Sequence, residues 1–220
     1  MDKSLLPILL PFDILLFKSP SLIGAAIRDG ETLADDLKQH GPIIGVVEGM
    51  FDGAMAIFEP SIPEHSGMVA SETGYYEMTW PMSDIGDLIK DVDLIVGVYR
   101  CPWLTFEHNP ECYHVLIDDL HDWWDQFIHS GEGYGLDNLL SFVTPLPEDK
   151  KHMVCSMATT LALIDCVNSD PRFPCNFPKD WIVAGKDNVP MVGLVSPLDQ
   201  LKWFNQAGWG VWQDPAINKV

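Results

Sequence analysis

Short apolar segments recur through the first half of the chain, and turn-forming residues separate them. The clearest of these segments are residues 13–17, 66–70, 74–80 and 93–99. Runs of this length between glycine, proline or serine residues are typical of β-strands rather than of helices. Only residues 71–73 separate the middle two runs, which predicts that they pair as antiparallel neighbours. A second hairpin is predicted from the apolar runs at 42–47 and 54–58.

Apolar residues take on a helical spacing in the middle of the chain. Across residues 114–129, Leu116, Leu120 and Phe127 fall on one face, while aspartates occupy the others. This pattern predicts an amphipathic helix. A shorter helix is predicted near residues 136–142.

The combination of strands and helices predicts the class of fold. The sequence contains no internal repeat and no linker, so residues 1–220 are predicted to form a single α+β domain. Residues 168–220 are rich in proline, glycine and tryptophan, and they are predicted to form an irregular C-terminal tail.

Charge and composition argue against several classes of function. The net charge is −19, and the sequence contains no cluster of basic residues, so a nucleic-acid partner is not expected. Five cysteines without regular spacing favour free thiols over a disulfide framework. No apolar stretch is long enough for a membrane span. The apolar run at 5–12 is broken by two prolines and does not resemble a signal peptide, so a location in the cytoplasm or in a larger assembly is expected.

Cys155 stands where an apolar helix is predicted to begin, and the cations Lys150 and Lys151 lie just upstream of it. Nearby positive charge and the positive end of a helix dipole both favour thiolate, the form of cysteine that attacks carbonyl carbon. The alternative is that Cys155 is a small buried hydrophobic residue, as free cysteine often is. Cys166 lies past the middle of the same helix and is predicted to belong to the core.

A base for this thiol is found among the seven histidines. His65 opens a predicted strand, and Glu77 lies on the next one. If the two strands pair, the Glu77 carboxylate can reach a ring nitrogen of His65, select its tautomer and stabilise the imidazolium. Taken alone, His65 could equally be a surface histidine and Glu77 a solvent-facing strand residue.

One group of residues has the composition of a metal site. Its members are Cys101, His108, Cys112 and His114. Their spacing matches none of the common zinc patterns, so neither a metal nor another cofactor is predicted.

The order of these pieces along the chain resembles one family of proteins. The pieces are DILLF at 13–17, HSGMV at 65–69, GYYE at 74–77, PMSD at 81–84, VGVYR at 96–100, GYGLD at 133–137 and VCS at 154–156. Their order is similar to that of the circularly permuted papain-like hydrolases, in the YiiX-like branch of the NlpC/P60 superfamily. In that family the cysteine follows the histidine in the chain, as it does here. The likeness extends from residue 13 to about residue 166.

The resemblance implies a fold and three catalytic residues. The implied fold is an antiparallel sheet, or half-barrel, packed against the helix that carries the nucleophilic cysteine. Cys155 corresponds to the nucleophile, His65 to the base and Glu77 to the residue that orients the base. Tyr134 corresponds to a family tyrosine that precedes the nucleophile helix, and PMSD corresponds to a turn.

The chain departs from the family pattern in three places. Phe12 stands where the pattern has a glycine, and Met157 stands where it has an acidic residue. Residues 28–63 are longer than the corresponding family segment and are predicted to contain an insertion. None of these departures removes a group that the chemistry needs.

The insertion carries a rival for the base and its partner. His40 precedes an apolar run, and Glu59 in AIFE at 56–59 imitates the V-I-E-A piece of the family pattern. His65 is preferred because it begins its strand directly and keeps a short spacing to Glu77. The mechanism is the same with either pair.

The activity that the resemblance implies is hydrolysis of an amide bond through a thioester. The backbone N–H of Cys155 is the expected oxyanion donor. Peptidoglycan stem peptides are the commonest substrates in the superfamily, so a peptide or peptidoglycan substrate is expected. Two other functions stay open. One is an acyltransferase of the same fold, and the other is a non-catalytic component of a larger particle, such as a phage virion.

Overall fold

The computed structural model describes residues 6–18, 63, 65–78, 83–130, 155–184, 190–193 and 195–215. Within these ranges the protein is α+β, which confirms the predicted class. Its main sheet has six strands, which are β1 (Ile14–Phe17), β2 (His65–Val69), β3 (Gly74–Met78), β4 (Ser83–Asp87), β5 (Ile95–Tyr99) and β8 (Gly210–Gln213). A separate two-stranded sheet pairs β6 (Ile182–Ala184) with β7 (Pro190–Val192).

The main sheet is antiparallel throughout, in the order β4-β3-β2-β1-β5-β8. Strands β1, β2, β3 and β5 lie at the four predicted apolar runs, and β2 pairs with β3 as predicted. The first half of the turn that the resemblance implies at 81–84 lies outside the described residues, and residues 83–87 form strand β4, which pairs with β3. β4 lies at the edge of the sheet, where polar and charged side chains are tolerated because they remain in water.

The helices in the described ranges are α1 (Leu88–Asp91), α2 (Tyr113–Ser130), α3 (Cys155–Leu163) and α4 (Pro197–Gln206). One turn of π-helix (Ile164–Asn168) follows α3 directly. Helix α2 confirms the predicted amphipathic helix, since Leu116, Leu120 and Phe127 are buried and the aspartates face outward. None of the helices in this described part of the chain is long and apolar enough to cross a membrane.

Both faces of the main sheet are covered, which explains why β1 is apolar at every position. Ile14 and Leu16 point into a large core that the sheet shares with α2, α3 and α4. Leu15 and Phe17 point the other way, into a smaller cluster with residues such as Leu88 of α1. The position of α3 on the large-core face is important for the site, because Cys155 is its first residue.

Residues 169–181 of the predicted C-terminal tail contain no helix or strand, whereas the described residues beyond them contain β6, β7, α4 and β8. Ser196 caps α4 through a capping box with Asp199, and Pro197 occupies the first turn. The aromatic residues that suggested a loop are core residues, as the stacking of Phe204 on Trp209 at 5.3 Å shows. Composition was misleading only beyond residue 181, where Pro190 and Pro197 lie at the starts of β7 and α4.

Several predictions lie outside the described residues. They are the hairpin from the runs at 42–47 and 54–58, the helix near 136–142, the residues His40, Glu59 and Tyr134, and nearly all of the insertion at 28–63.

Candidate active site

Cys155 lies at the start of a helix that is buried along its whole length. Every residue of α3 from Cys155 to Leu163 is buried, and the Cys155 residue is 2% exposed. Such a helix packs against other elements on all sides, and its polar residues are buried together with the apolar ones. Packing on all sides holds the thiol in a defined position at the N-terminal end of the helix.

The pairing of β2 with β3 brings His65 and Glu77 together. Gly67 lies opposite Glu77, so Glu77 is diagonal to His65 on the same face of the sheet. The two atoms His65 Nε2 and Glu77 Oε2 are 2.6 Å apart, which is a short charge-assisted hydrogen bond. The two side chains are 23% and 16% exposed.

The Cys155 thiol lies within hydrogen-bonding reach of the His65 ring. Because Glu77 occupies Nε2, the nitrogen left for the thiol is Nδ1. Burial by itself lowers the pKa of His65, but the Cys155 thiolate, together with the Glu77 carboxylate, raises it to about 10. A protonated ring donates from both of its nitrogens, so it can bond to Glu77 and to Cys155 at once. The structure thus brings the three predicted residues together in the order thiol, imidazole, carboxylate.

Replacing Glu77 by glutamine is expected to lower the pKa of His65, because the neutral amide no longer stabilises the imidazolium. The folded-state pKa of about 10 lies above the ordinary value of 6.5. Protonation of His65 therefore contributes to the free energy of unfolding. This contribution is complete below pH 6.5 and is lost as the pH rises through 10. An NMR titration of the His65 ring, in the wild type and in Glu77→Gln, measures the pKa of His65 directly. A His65 pKa in Glu77→Gln equal to that in the wild type would contradict the pairing of His65 with Glu77.

A buried polar network ties the neighbours of Cys155 and His65 to each other. Ser66 Oγ of β2 is 3.1 Å from Thr159 Oγ1 of α3. Gln200 Nε2 of α4 is 2.9 Å from Thr159 Oγ1 and 3.0 Å from the Ser156 carbonyl oxygen. These side chains are fully buried, so breaking one bond leaves a polar group without water or partner. The network fixes the strand end that carries His65 relative to the helix start that carries Cys155.

Sequence reasoning missed Gln200 and Ser156, which hold the nucleophile helix from the C-terminal part of the chain. The Ser156 hydroxyl donates to the Val195 carbonyl, just before α4. Gln200 lies 44 positions from Ser156, and Val195 lies 39 positions from it. No local sequence pattern connects residues so far apart. The one available signal was the capping sequence of α4, which marks a helix where an irregular tail was predicted.

A second ion pair joins the start of β1 to the end of β5. The carboxylate of Asp13 is buried and accepts two hydrogen bonds from Arg100, at 2.7 Å from Nε and 2.6 Å from Nη2. The backbone N–H of Leu10 donates to the same carboxylate at 2.8 Å. The pair closes the N-terminal segment over the sheet and lies outside the contact between Cys155 and His65.

The other cysteines and histidines that were considered do not form a metal site. Among the residues that the structure describes, no group of three or more histidine, cysteine, aspartate or glutamate residues could hold a metal ion. Cys101 is buried in contact with Cys175, and this contact, together with burial, raises the pKa of Cys175. His108 bonds to Thr105 instead of to a neighbouring cysteine. Cys166 is half-buried at the edge of the core.

With this geometry established, the chain was compared with known proteins. No family model, no curated protein and no solved structure matches it.

Proposed function

We propose that this protein is a cysteine hydrolase that cleaves an amide bond through a thioester intermediate. The observation that carries the proposal is the contact of the Cys155 thiol, at a helix start, with a His65 ring whose other side is bonded to Glu77. A nucleophile, a base and a group that orients the base are the parts that nucleophilic acyl transfer needs. The elevated pKa of His65 supports the same reading, because an imidazolium can protonate a leaving amine.

The proposed reaction begins with attack of the Cys155 thiolate on the carbonyl carbon, which forms a C–S bond and a tetrahedral oxyanion. The backbone N–H of Cys155 donates to this oxyanion, a contribution of about 3 kcal/mol for a donor of this kind. His65 then gives its proton to the nitrogen of the breaking C–N bond, and the amine leaves. Neutral His65 takes a proton from water, and the resulting hydroxide attacks the thioester and restores the thiolate.

Two features outside the triad support the resemblance to the permuted papain-like hydrolases. Asp13 and Arg100 belong to separate pieces of the family pattern, and here they form a buried bidentate ion pair. Phe12 stands at the position of the family glycine, and its backbone has a φ of 63°, in the left-handed region that favours glycine. The backbone of Phe12 thus has a conformation that glycine adopts easily, which agrees with a family position where glycine is usual.

The substrate class follows from the resemblance. We propose a peptide amide of the kind found in peptidoglycan stem peptides. Transfer of the same acyl group to an acceptor other than water would make the protein an acyltransferase. Both reactions use the same thioester, so only the identity of the product distinguishes them.

One observation favours a second candidate, a non-catalytic component of a larger assembly. Cys155 is 2% exposed, whereas the nucleophile of a hydrolase must meet its substrate. Solvent reaches the contact between Cys155 and His65 from the imidazole side, because the His65 side chain is 23% exposed. The two candidates differ in whether the thiol reacts with a small electrophile in the folded protein.

Limited reaction with iodoacetamide near neutral pH tests the proposal. The hydrolase proposal predicts that Cys155 reacts before Cys112 and Cys166, although these two are more exposed, because a nucleophile is activated by an adjacent base. Mass spectrometry of the digested protein identifies the modified cysteine. Incubation with purified peptidoglycan, followed by product analysis, is then expected to reveal new amine and carboxyl ends. A Cys155 that reacts only after unfolding would favour the structural candidate.

A further inference from the structure

An open pocket of about 390 Å³ lies at the C-terminal end of α4. Its other walls come from the 3-10 helical turn Pro102–Leu104 and from the segment 174–176. Three tryptophans line it, which are Trp103, Trp203 and Trp209. Pockets that bind small ligands have volumes of about 300–1,000 Å³, and this pocket falls within that range. It therefore has room for a ligand of one or two rings.

Aromatic contacts hold the three indole rings of the pocket in place. Trp203 and Trp209 meet at a steep angle, with 5.0 Å between the ring centroids and 73° between the ring planes. Trp209 also stacks on Phe204, with the centroids 5.3 Å apart. Trp103 lies against Phe173 at 5.9 Å. Side chains that are restrained before a ligand arrives lose little conformational freedom when it binds.

The described residues that line this pocket are all uncharged. Besides the tryptophans they are Asn176, Gln206, two prolines, an alanine and a cysteine. This composition differs from that of the whole chain, which has 32 acidic and 13 basic residues. It also differs from that of a pocket beside α2, whose lining includes Asp119, Asp165 and Arg172. An ion in the tryptophan pocket would lose hydration without meeting an opposite charge, so a neutral ligand is favoured.

Asn176 and Gln206 provide side-chain amides, and both residues are exposed. The backbone of Asn176 has a φ of 56°, in the left-handed region that asparagine adopts more readily than most residues. Its Nδ2 donates to the Pro174 carbonyl at 3.3 Å, which orients the amide. An amide that uses one of its two N–H groups in this way keeps a second donor and an acceptor oxygen for a ligand.

Flat apolar rings beside uncharged hydrogen-bonding groups match the chemistry of a sugar. A pyranose ring has a face of C–H groups that can stack on an indole, and a rim of hydroxyl groups that can bond to amides. A purely apolar ligand would instead cover the amides without offering them a partner, which costs free energy.

We propose that this pocket binds a neutral sugar, with one ring stacked on a tryptophan and its polar groups bonded to Asn176 and Gln206. The pocket is separate from the proposed active site. The start of α4 lies beside Ser156, whereas the end of α4 forms part of the pocket. A helix of 10 residues, as α4 is, has a length of about 15 Å. The sugar site therefore goes beyond the hydrolase function and does not depend on it.

Titration with tri-N-acetylchitotriose, a neutral sugar whose acetamido groups complement side-chain amides, tests the proposal by NMR. Each of the 8 tryptophans gives an indole N–H signal, so the spectrum locates the site. We expect saturable shifts in the signals of Trp103, Trp203 and Trp209. The signal of Trp124 is expected to stay unchanged, since this buried indole bonds to Met68 in the core. Absence of shifts at the solubility limit of the sugar would overturn the proposal.

Trp103→Ala is expected to weaken binding of the sugar about tenfold, because it removes a stacking surface. Trp123→Ala is the matched control, since Trp123 is also half-buried but lies on α2, where it bonds to Asp165. Its affinity is expected to equal that of the wild type. Gln206→Ala is the second variant. It changes an exposed side chain and is expected to weaken binding about threefold, the scale of one lost hydrogen bond. Wild-type affinity in either folded pocket variant would contradict the proposed contacts.

A proline-rich peptide is titrated in parallel, because grooves lined by aromatic residues also bind such peptides. Shifts of the three pocket signals with the peptide but not with the sugar would overturn the proposal. Cys155→Ala is expected to bind the sugar as the wild type does. If the sugar binds but peptidoglycan is not cleaved, the hydrolase function fails and the sugar site stands. If peptidoglycan is cleaved but the sugar shifts no indole signal, the sugar site fails and the hydrolase function stands.

Discussion

Cys155→Ala is expected to abolish amide hydrolysis, with a loss of about 10⁶-fold in kcat, the scale reported for removal of a hydrolase nucleophile. The reason is that no other group in the site can form the thioester. The thiol is the only nucleophile in contact with His65 within the described residues. Product release from peptidoglycan, or from a stem-peptide substrate, measures the loss.

The fold is expected to survive this substitution, because alanine keeps the helix start and leaves only a small cavity. Thermal unfolding and circular dichroism check that it does. Cys166→Ala is the matched control, since Cys166 follows the same helix but contacts the Asp119 carbonyl, away from His65. Normal turnover by a folded Cys155→Ala protein would remove Cys155 from the role of nucleophile.

His65→Ala is expected to lose hydrolysis by about 10⁴-fold or more, because the thiolate loses its counter-ion and the leaving amine loses its proton donor. The same variant is expected to slow the reaction of Cys155 with iodoacetamide below pH 7, where an unassisted thiol is protonated. Both rates can be measured on one preparation.

His40→Ala is the informative comparison, because His40 is the rival base in the sequence. It is expected to retain most of the hydrolytic activity. Loss of activity in His40→Ala together with retention in His65→Ala would transfer the role of base to His40. The second member of the rival pair, Glu59, would then replace Glu77.

Much of the central sheet was predictable, because its strands carry local signals. The run at 13–17 is apolar at consecutive positions, as a strand buried on both faces must be, and β1 confirms it. The short connection at residues 71–73 allows few arrangements other than a hairpin, and this hairpin brings Glu77 to His65. The spacing of these two residues was therefore enough to predict their contact.

The C-terminal part was not predictable in the same way. β8 pairs with β5 although more than a hundred residues separate them in the chain. Gln200 bonds to the first turn of α3 from 44 positions further along the chain, and its bonds exist only when α4 is docked. Contacts between distant residues leave no periodic pattern in the local sequence. The composition of residues 168–220 was therefore the main signal there, and it suggested a loop.

The amino-acid sequence alone was sufficient to predict the α+β class, the hairpin of β2 and β3, and a cysteine at a helix start, because each depends on neighbours within a few residues or one short turn. Only the tertiary structure brings Cys155 to His65, since that contact joins a helix to a strand end ninety positions earlier. The space for the Tyr75 ring of β3, next to Gly67 of β2 and Gly86 of β4, likewise exists only after these three strands have paired. Local propensity determines elements, whereas the relative position of reactive groups depends on how those elements pack.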